Sequence, residues 1–230
     1  MIKVGCCGFC CKKDEYFKKF EVVEIQKTFY SLPSIETARK WRKEKPDNFE
    51  YTMKAWQLIT HLPNSPTYRK ANLKIESNNY GFFKPSNEVF DAWEKFSEFA
   101  KELDAKIIVF QCPPNFHESA ENIRNIEQFF SSIERKFLYA IELRGNWAKE
   151  KIIEICKNFD LIHCVDPFKS PSYYGKIKYY RLHGISGYNY DYSKEELKKL
   201  LELCRGEDVY CLFNNTKMLK NAIEFKEMIR

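Results

Sequence analysis

The sequence predicts an α/β protein built as a single (βα)8 barrel of the TIM type, with parallel strands, and three observations support this. Eight short apolar or β-branched runs alternate with helical segments over 230 residues, and ~250 residues is the usual length of this fold. Some of these runs are apolar throughout, as expected for parallel strands covered on both faces. Most of them end in charged or amide side chains, at the end where such barrels bind their ligands.

The strand predictions rest on short apolar runs that are bounded by turn residues. In the fifth strand, Phe137 to Ile141 is apolar, and Glu142 and Arg144 then share one side because side chains alternate with a period of two. The eight predicted strands are Ile2 to Cys6, Phe20 to Ile25, Phe49 to Ala55, Lys106 to Gln111, Phe137 to Ile141, Leu161 to Val165, Lys178 to His183 and Val209 to Phe213.

Helices are predicted from capping residues and from apolar residues at helical spacing. Ser193, with Glu196 three residues further on, has the pattern of a capping box. The predicted helices are Ser34 to about Lys43, Glu88 to Leu103, Ser119 to Ser131, Ala148 to Lys157, Ser193 to Cys204 and Leu219 to Met228. An open doubly wound sheet is the alternative fold, disfavoured because no G-x-G-x-x-G or G-x-x-x-x-G-K-[ST] loop follows a strand.

The stretch from Trp56 to Ser86 contains Pro63, Pro66 and Pro85 and is predicted to be a long loop that covers the pocket as a lid. Nothing in the sequence has the composition of a domain linker, so residues 1–230 are expected to form one domain. No apolar run approaches the ~20 residues needed to cross a bilayer, and the first residues lack a signal-peptide pattern. We therefore expect a cytoplasmic protein without a membrane segment.

The net charge of +6 permits an anionic ligand without requiring nucleic acid. Four of the nine cysteines are Cys6, Cys7, Cys10 and Cys11. Cys7 and Cys10 have C-x-x-C spacing, but a structural zinc site needs four ligands and no second pair occurs. Buried or rim thiols are the preferred interpretation, with metal or redox use as the alternative.

The strand ends provide the main functional signal. In a barrel, the last inward side chain of each strand lines the pocket at the carboxyl face. Polar groups are costly to bury without partners, so seven strands that end in this way indicate a site. The residues at these positions are Glu24, Gln26, Lys54, Gln111, Glu142, Arg144, Asp166, Arg181, His183, Asn214 and Asn215.

The candidate catalytic residues are Glu24, Glu142 and His183. In one mechanism Glu24 and Glu142 act as an acid and base pair, as the hydrolysis of sugars requires. In another, Glu142, Asp166 and His183 bind a divalent metal, although no H-x-x-x-H or H-E-x-x-H spacing supports it. Glu24 could instead form a structural ion pair with Lys54 or Arg181. The residues expected to bind substrate are Lys54, Gln111, Arg144, Asp166, Arg181, Asn214 and Asn215.

These residues predict a hydrolase or lyase that acts on a small anionic compound, sugar-like or phosphorylated, because guanidinium groups bind planar oxyanions at two points. Two alternatives stay open. One is a nucleic-acid or ligand-binding barrel without catalysis, and the other is a metal-dependent isomerase or phosphodiesterase. Aromatic and basic residues in predicted loops favour the binding alternative, namely Tyr68 to Lys70, Tyr80 to Lys84, Tyr173, Tyr174, Tyr188, Tyr190 and Tyr192.

Short segments spread over nearly the whole chain match one family in the family's own order. They are Val23 to Ile25, Thr28 to Tyr30, Leu32 to Ser34, Trp41, Pro46, Phe49, Lys54 to Ala55, Thr60 to His61, Phe110 to Pro114, Ile141 to Arg144, Trp147, Tyr180 to Gly184, Tyr188, Tyr192 and Phe213 to Asn215. In these segments the chain resembles the YecE-like family of domains of unknown function. The resemblance implies a βα barrel with these residues at one mouth and supplies no activity. Gly5 to Phe9 departs from the family's usual Gly-Thr-Ser-Gly-Trp, which suggests a different ligand or a use for the thiols.

Overall fold

The computed structural model describes residues 1–71, 73, 75 and 77–229. The chain forms a closed barrel of parallel strands, each paired with the next along the sequence, and the first strand pairs with the last. This confirms the predicted fold class. The strands of the described part are β1 (Ile2–Cys6), β2 (Val22–Ile25), β3 (Glu50–Lys54), β4 (Ala105–Gln111), β5 (Leu138–Glu142), β6 (Ile162–Val165), β7 (Lys178–Leu182) and β8 (Val209–Phe213).

Helices connect most of the strands on the outside of the barrel. In the described ranges they are α1 (Lys13–Lys19), α2 (Lys27–Tyr30), α3 (Ile35–Glu44), α4 (Gln57–Thr60), α5 (Pro66–Ala71), α6 (Asn87–Leu103), α7 (Ala120–Ser132), α8 (Lys149–Asn158), α9 (Lys194–Leu203) and α10 (Met218–Ile229). The capping box predicted at Ser193 and Glu196 is present at the start of α9. No described helix is both long enough and apolar enough to cross a membrane.

The segment between β3 and α6 differs from the predicted long loop, because it contains the short helices α4 and α5. Both are too short for helical periodicity to be recognised in the sequence. Ile59 and Phe83 in this segment are completely buried, so part of it packs firmly against the barrel. Asn72, Lys74 and Glu76 fall within the predicted lid and lie outside the described residues. Movement of the segment as a lid stays a prediction.

The barrel separates two apolar clusters. The larger cluster lies between the strands and the helices and includes the apolar face of α6. The smaller one fills the barrel interior with Val22, Val109, Ala140, Cys164 and Leu212 among its members. Because side chains alternate along a strand, the residues two positions after these inward apolar groups also point inward. The polar residues at the carboxyl ends of the strands therefore lie directly above an apolar plug.

Candidate functional site at the carboxyl ends of the strands

Arg181 on β7 forms the centre of the polar layer and is completely buried. Its Nη2 donates to Glu24 Oε1 at 2.9 Å, and its Nη1 donates to Gln111 Oε1 at 2.7 Å and also to Glu142 Oε2. Tyr179 donates its hydroxyl to Glu24 Oε2 at 2.9 Å. A single guanidinium thus joins β2, β4 and β5 to β7 across the barrel. This arrangement fixes the position of both carboxylates.

Glu142 connects this buried network to the solvent-facing side. Its Oε1 lies 3.1 Å from His183 Nε2 and 3.7 Å from Arg144 Nε. Burial acts to raise the pKa of Glu142, but Arg181, the hydrogen bond with His183 and Arg144 outweigh it. The pKa of Glu142 is therefore held well below its ordinary value, and the carboxyl group is ionised at neutral pH.

The His183 ring is held from both of its nitrogens. The amide nitrogen of Asn214 lies 3.1 Å from Nδ1, and since an amide nitrogen can only donate, Nδ1 accepts and Nε2 carries the hydrogen that is given to Glu142. The main chain at His183 is held as well, because its N–H donates to Asp166 Oδ2 at 3.0 Å. The imidazole is thus fixed in one tautomer and one orientation.

Gly184 makes the sharp turn after His183. Its φ is +85°, and a Cβ at this position would lie 2.1 Å from the carbonyl oxygen of Gly187. Only glycine fits such a contact. The turn leaves the His183 side chain partly exposed, with 14% of its surface accessible, at the wall of a cavity.

The cavity has a volume of about 490 Å³ and lies over the carboxyl ends of the strands. Two exposed cations, Arg144 and Lys169, line it together with the buried amine of Lys54, and the described lining contains no carboxylate. Gln111, His183, Asn214 and Tyr188 also contribute. A second cavity of about 370 Å³ adjoins it and shares Arg144, Lys169 and His183. The first cavity therefore has a positive potential and suits an anionic ligand.

Five of the ten predicted site residues line the first cavity, namely Lys54, Gln111, Arg144, His183 and Asn214. Glu142 and Asp166 line the second cavity. Glu24 and Arg181 lie beneath, fully buried and engaged with each other. This is the structural ion pair that was an alternative for Glu24. Because the guanidinium bridges the two carboxylates, the geometry disfavours a sugar held between Glu24 and Glu142.

Asn215 does not face the cavities. It follows Asn214 directly, and neighbouring side chains at a strand end point to opposite faces. Its Nδ2 instead donates to the carbonyl oxygen of Tyr190 at 2.7 Å and to Asn221 Oδ1 at 2.8 Å. Asn215 thus ties the loop after β7 to α10, and its expected contact with substrate is not supported.

The candidate metal ligands Glu142, Asp166 and His183 are not arranged as a metal site. Each already has protein partners. Glu142 and His183 bond to each other. Asp166 accepts the N–H groups of Phe168 and His183 through separate oxygens. Within residues 1–71, 73, 75 and 77–229, no group of three or more histidine, cysteine, aspartate or glutamate side chains is placed to hold a metal ion. The residues present do not fit the metal suggested from the sequence.

The N-terminal cysteines are free thiols. The two that lie close together are not the pair with C-x-x-C spacing, Cys7 and Cys10. The Sγ atoms of Cys10 and Cys6 lie 3.7 Å apart. Cys7 belongs to the apolar cluster inside the barrel. Adjacent residues on a strand point to opposite faces, which is why Cys7 does not meet Cys10.

Several residues at the site were not proposed as site residues from the sequence. Lys169 lies in the long connection between β6 and β7, where no periodic pattern indicates its direction. His61 lines the cavity from the residue after α4, and in the sequence only the family resemblance points to it. Tyr179 could have been found, because it lies two residues before Arg181 and so faces the same side of β7.

A closed parallel barrel with a polar ring and a cation-lined cavity over its carboxyl ends places the chain in the TIM-barrel class. More specifically, the chain belongs to the family described as "Protein of unknown function DUF72", whose sequence model matches residues 13–230. This confirms the resemblance predicted from the sequence.

A curated relative is the UPF0759 protein YunF of Bacillus subtilis (strain 168). It is 26% identical over 113 residues, which cover 49% of this chain and 35% of YunF. The match thus spans about a third of the length of that relative.

Among solved structures, a DUF72 family protein from Enterococcus faecalis V583 superimposes with a TM-score of 0.77 at 20% identity, over 100% of this chain and 97% of that one. A DUF72 family protein from Thermotoga maritima MSB8 gives 0.72 at 24% identity, over 100% and 99%. Endonuclease IV from Thermus thermophilus gives 0.51 at 10% identity, over 99% and 98%. Each of these similarities supports the barrel fold alone.

Proposed function

We propose that this protein is an enzyme, a lyase or hydrolase, that binds a small anionic compound, sugar-like or phosphorylated, in the first cavity. The observation that carries the proposal is His183, held between Glu142 and Asn214 at the wall of a cavity whose charged lining is entirely cationic. An imidazole fixed by a carboxylate beside a ligand cavity is the arrangement of a general base.

The roles follow from the hydrogen bonds. Glu142 accepts the Nε2 hydrogen of His183 and stabilises the imidazolium that forms when Nδ1 takes a proton. Nδ1 is covered by the amide of Asn214, which also lines the cavity and can be displaced by a polar group of the substrate. Arg181 and Glu24 do not touch substrate in this mechanism and instead hold Glu142 in place.

The anionic group of the substrate would bind Arg144 and Lys169. Both side chains are exposed at the mouth, and both line the two adjoining cavities together with His183. Arginine binds phosphate or carboxylate through two parallel hydrogen bonds, and lysine adds a point charge. Binding of the anion there places the rest of a small substrate within reach of His183.

The test is a panel of sugar phosphates and sugar acids, screened for a rise in melting temperature and for product. Binding to the folded state raises the melting temperature. We expect at least one phosphorylated or carboxylated sugar to stabilise the wild type and to be converted. Arg144→Gln should weaken binding of the same compound about tenfold or more, because a charge-assisted bond contributes about 1.5–3 kcal/mol. Lys157→Gln, on helix α8 and outside both cavity linings, is the control and should bind normally.

The panel also includes short single-stranded and duplex DNA and RNA. The reason is Tyr188, which is 57% exposed and lines the first cavity together with Arg144 and Lys169. A base could stack on such a ring. Stabilisation only by nucleic acid, lost steeply as salt rises, would overturn the proposal and indicate a nucleic-acid-binding barrel. Absence of any stabilisation or conversion by the small anions would overturn it as well.

A further inference from the structure

Lys54 is a buried amine of the cavity that the proton transfer by His183 does not use. It is 7% exposed, and its Nζ lies 3.6 Å from the centroid of the Phe29 ring. No carboxylate in the described part of the chain forms an ion pair with it. A buried ammonium group usually has an anionic partner, because desolvation of an unpaired charge is costly. The position therefore favours the neutral amine.

On balance, the surroundings of Lys54 also favour its neutral form. Burial and the Arg181 guanidinium lower the pKa of Lys54 to about 7, and Glu24, Glu142 and Cys7 only partly offset them. His61 also lines the first cavity. Burial lowers the pKa of His61 to about 3, so its ring is uncharged at pH 7. An ordinary lysine, with a pKa of about 10.4, has about a thousandfold less neutral amine at pH 7.

We infer that Lys54 is a nucleophilic amine that forms an imine with the carbonyl carbon of an anionic aldehyde or ketone bound in the first cavity. The inference rests on the proposed function for the anionic class of the substrate. A desolvated lysine beside another cation is a recognised form of activated amine nucleophile. Nζ lies over the face of the Phe29 ring, and both residues line the first cavity.

The step balances without an oxidant or reductant. The Lys54 nitrogen attacks the carbonyl carbon, a C–N bond forms and the carbonyl oxygen becomes a hydroxyl group. The C–O bond then breaks, and the oxygen leaves as water with one hydrogen from the nitrogen and one from a solvent acid. The protonated imine that remains withdraws electrons from the neighbouring α carbon. When His183 accepts the proton of a hydroxyl group on the β carbon, the bond between the α and β carbons breaks, its electron pair forms the double bond of an enamine, and the β carbon leaves as the carbonyl carbon of one product. Protonation of the enamine at the α carbon and hydrolysis of the imine then release the second product and restore the Lys54 amine. This selects a lyase over a hydrolase.

The experiment uses pyridoxal 5′-phosphate, a phosphorylated aldehyde, with sodium cyanoborohydride on the full-length protein. Reduction converts the imine into a stable amine that peptide mass spectrometry can locate. At pH 7 and low aldehyde concentration, we expect Lys54 to be labelled about tenfold or more faster than any other lysine, because a larger fraction of it is neutral. The labelling rate of Lys54 should reach half of its maximum near pH 7, and inorganic phosphate should slow it.

Lys169 is the internal control, since it lines the same cavity but is exposed. Lys54→Arg and Lys54→Met should abolish the fast label while circular dichroism shows a folded barrel. Because the wild-type measurement needs no variant, the inference is tested even if a variant fails to fold. Labelling of Lys54 no faster than Lys169, or labelling spread evenly over the surface lysines, would overturn it.

The two proposals fail separately. If the small-anion panel gives a product and Lys54→Arg keeps full turnover, the imine is wrong and the acid–base site stands. If Lys54 is labelled selectively and no compound of the panel is converted, the reactive amine stands and the proposed reaction class is wrong.

Discussion

Replacement of Arg181 by methionine is expected to lower the free energy of unfolding by about 3–5 kcal/mol, because it leaves the buried Glu24 carboxylate without its ion-pair partner and removes the buried partner of Glu142. Glu24 is completely buried and Glu142 nearly so, and both are paired with this one guanidinium. Urea denaturation at pH 7 measures the loss. A change below about 1 kcal/mol would contradict the assignment of Arg181 as the centre of the buried network.

Arg205→Met is the matched control, because Arg205 pairs with Glu202 at 2.8 Å on the surface. Exposed pairs contribute at most about 1 kcal/mol. The triple variant Arg181→Met with Glu24→Gln and Glu142→Gln should recover much of the stability, since no buried charge remains unpaired.

A fall in pH should also reduce the loss of stability in Arg181→Met, because protonation of a buried carboxyl group removes its unpaired charge. The gap to the wild type should therefore narrow as the pH falls from 7 towards 4.

Replacement of His183 by glutamine is expected to lower kcat about 10²–10⁴-fold on the substrate that the panel identifies, the usual loss when a general acid–base group is removed. Glutamine can still bond to Glu142 but cannot take up a proton. The melting temperature should change little. Turnover is measured at a saturating concentration of substrate, so that a change in binding does not obscure the result.

His117→Gln is the control for this variant, because His117 is exposed and is not among the lining residues of either cavity. It should keep the wild-type kcat. A His183→Gln variant with the same kcat as His117→Gln would remove His183 from the mechanism and with it the role assigned to Glu142.

The barrel could be predicted from the alternation of eight apolar or β-branched runs with helical segments, and most of its polar layer from the period of two of side chains along a strand. Arg181 and His183 share one side at the end of β7, as Glu142 and Arg144 do at the end of β5, and all four lie at the carboxyl end of the barrel. The same period predicts that Asn214 and Asn215 cannot both face inward, and in the structure Asn214 lines the first cavity while Asn215 bonds to the carbonyl oxygen of Tyr190.

Which charges pair with which could not be predicted, because the pairing depends on the closure of the barrel. Glu24 and Arg181 are 157 residues apart in the sequence and meet only when β2 and β7 lie across the interior from each other. The short helices α4 and α5 were missed because four to six residues do not establish a helical period. Lys169 lies in an irregular connection, where no pattern fixes the direction of a side chain.

The tautomer of His183 tests the central claim most directly, and ¹⁵N NMR of histidine-labelled protein at mildly alkaline pH measures it. His183→Gln identifies the resonances among those of the four histidines. We predict that Nε2 carries the hydrogen, that Nδ1 carries none, and that the Nδ1 resonance shifts when a stabilising sugar phosphate is added. A hydrogen on Nδ1, or a ring whose resonances do not respond to the ligand, would contradict the account of His183 as the base of this cavity.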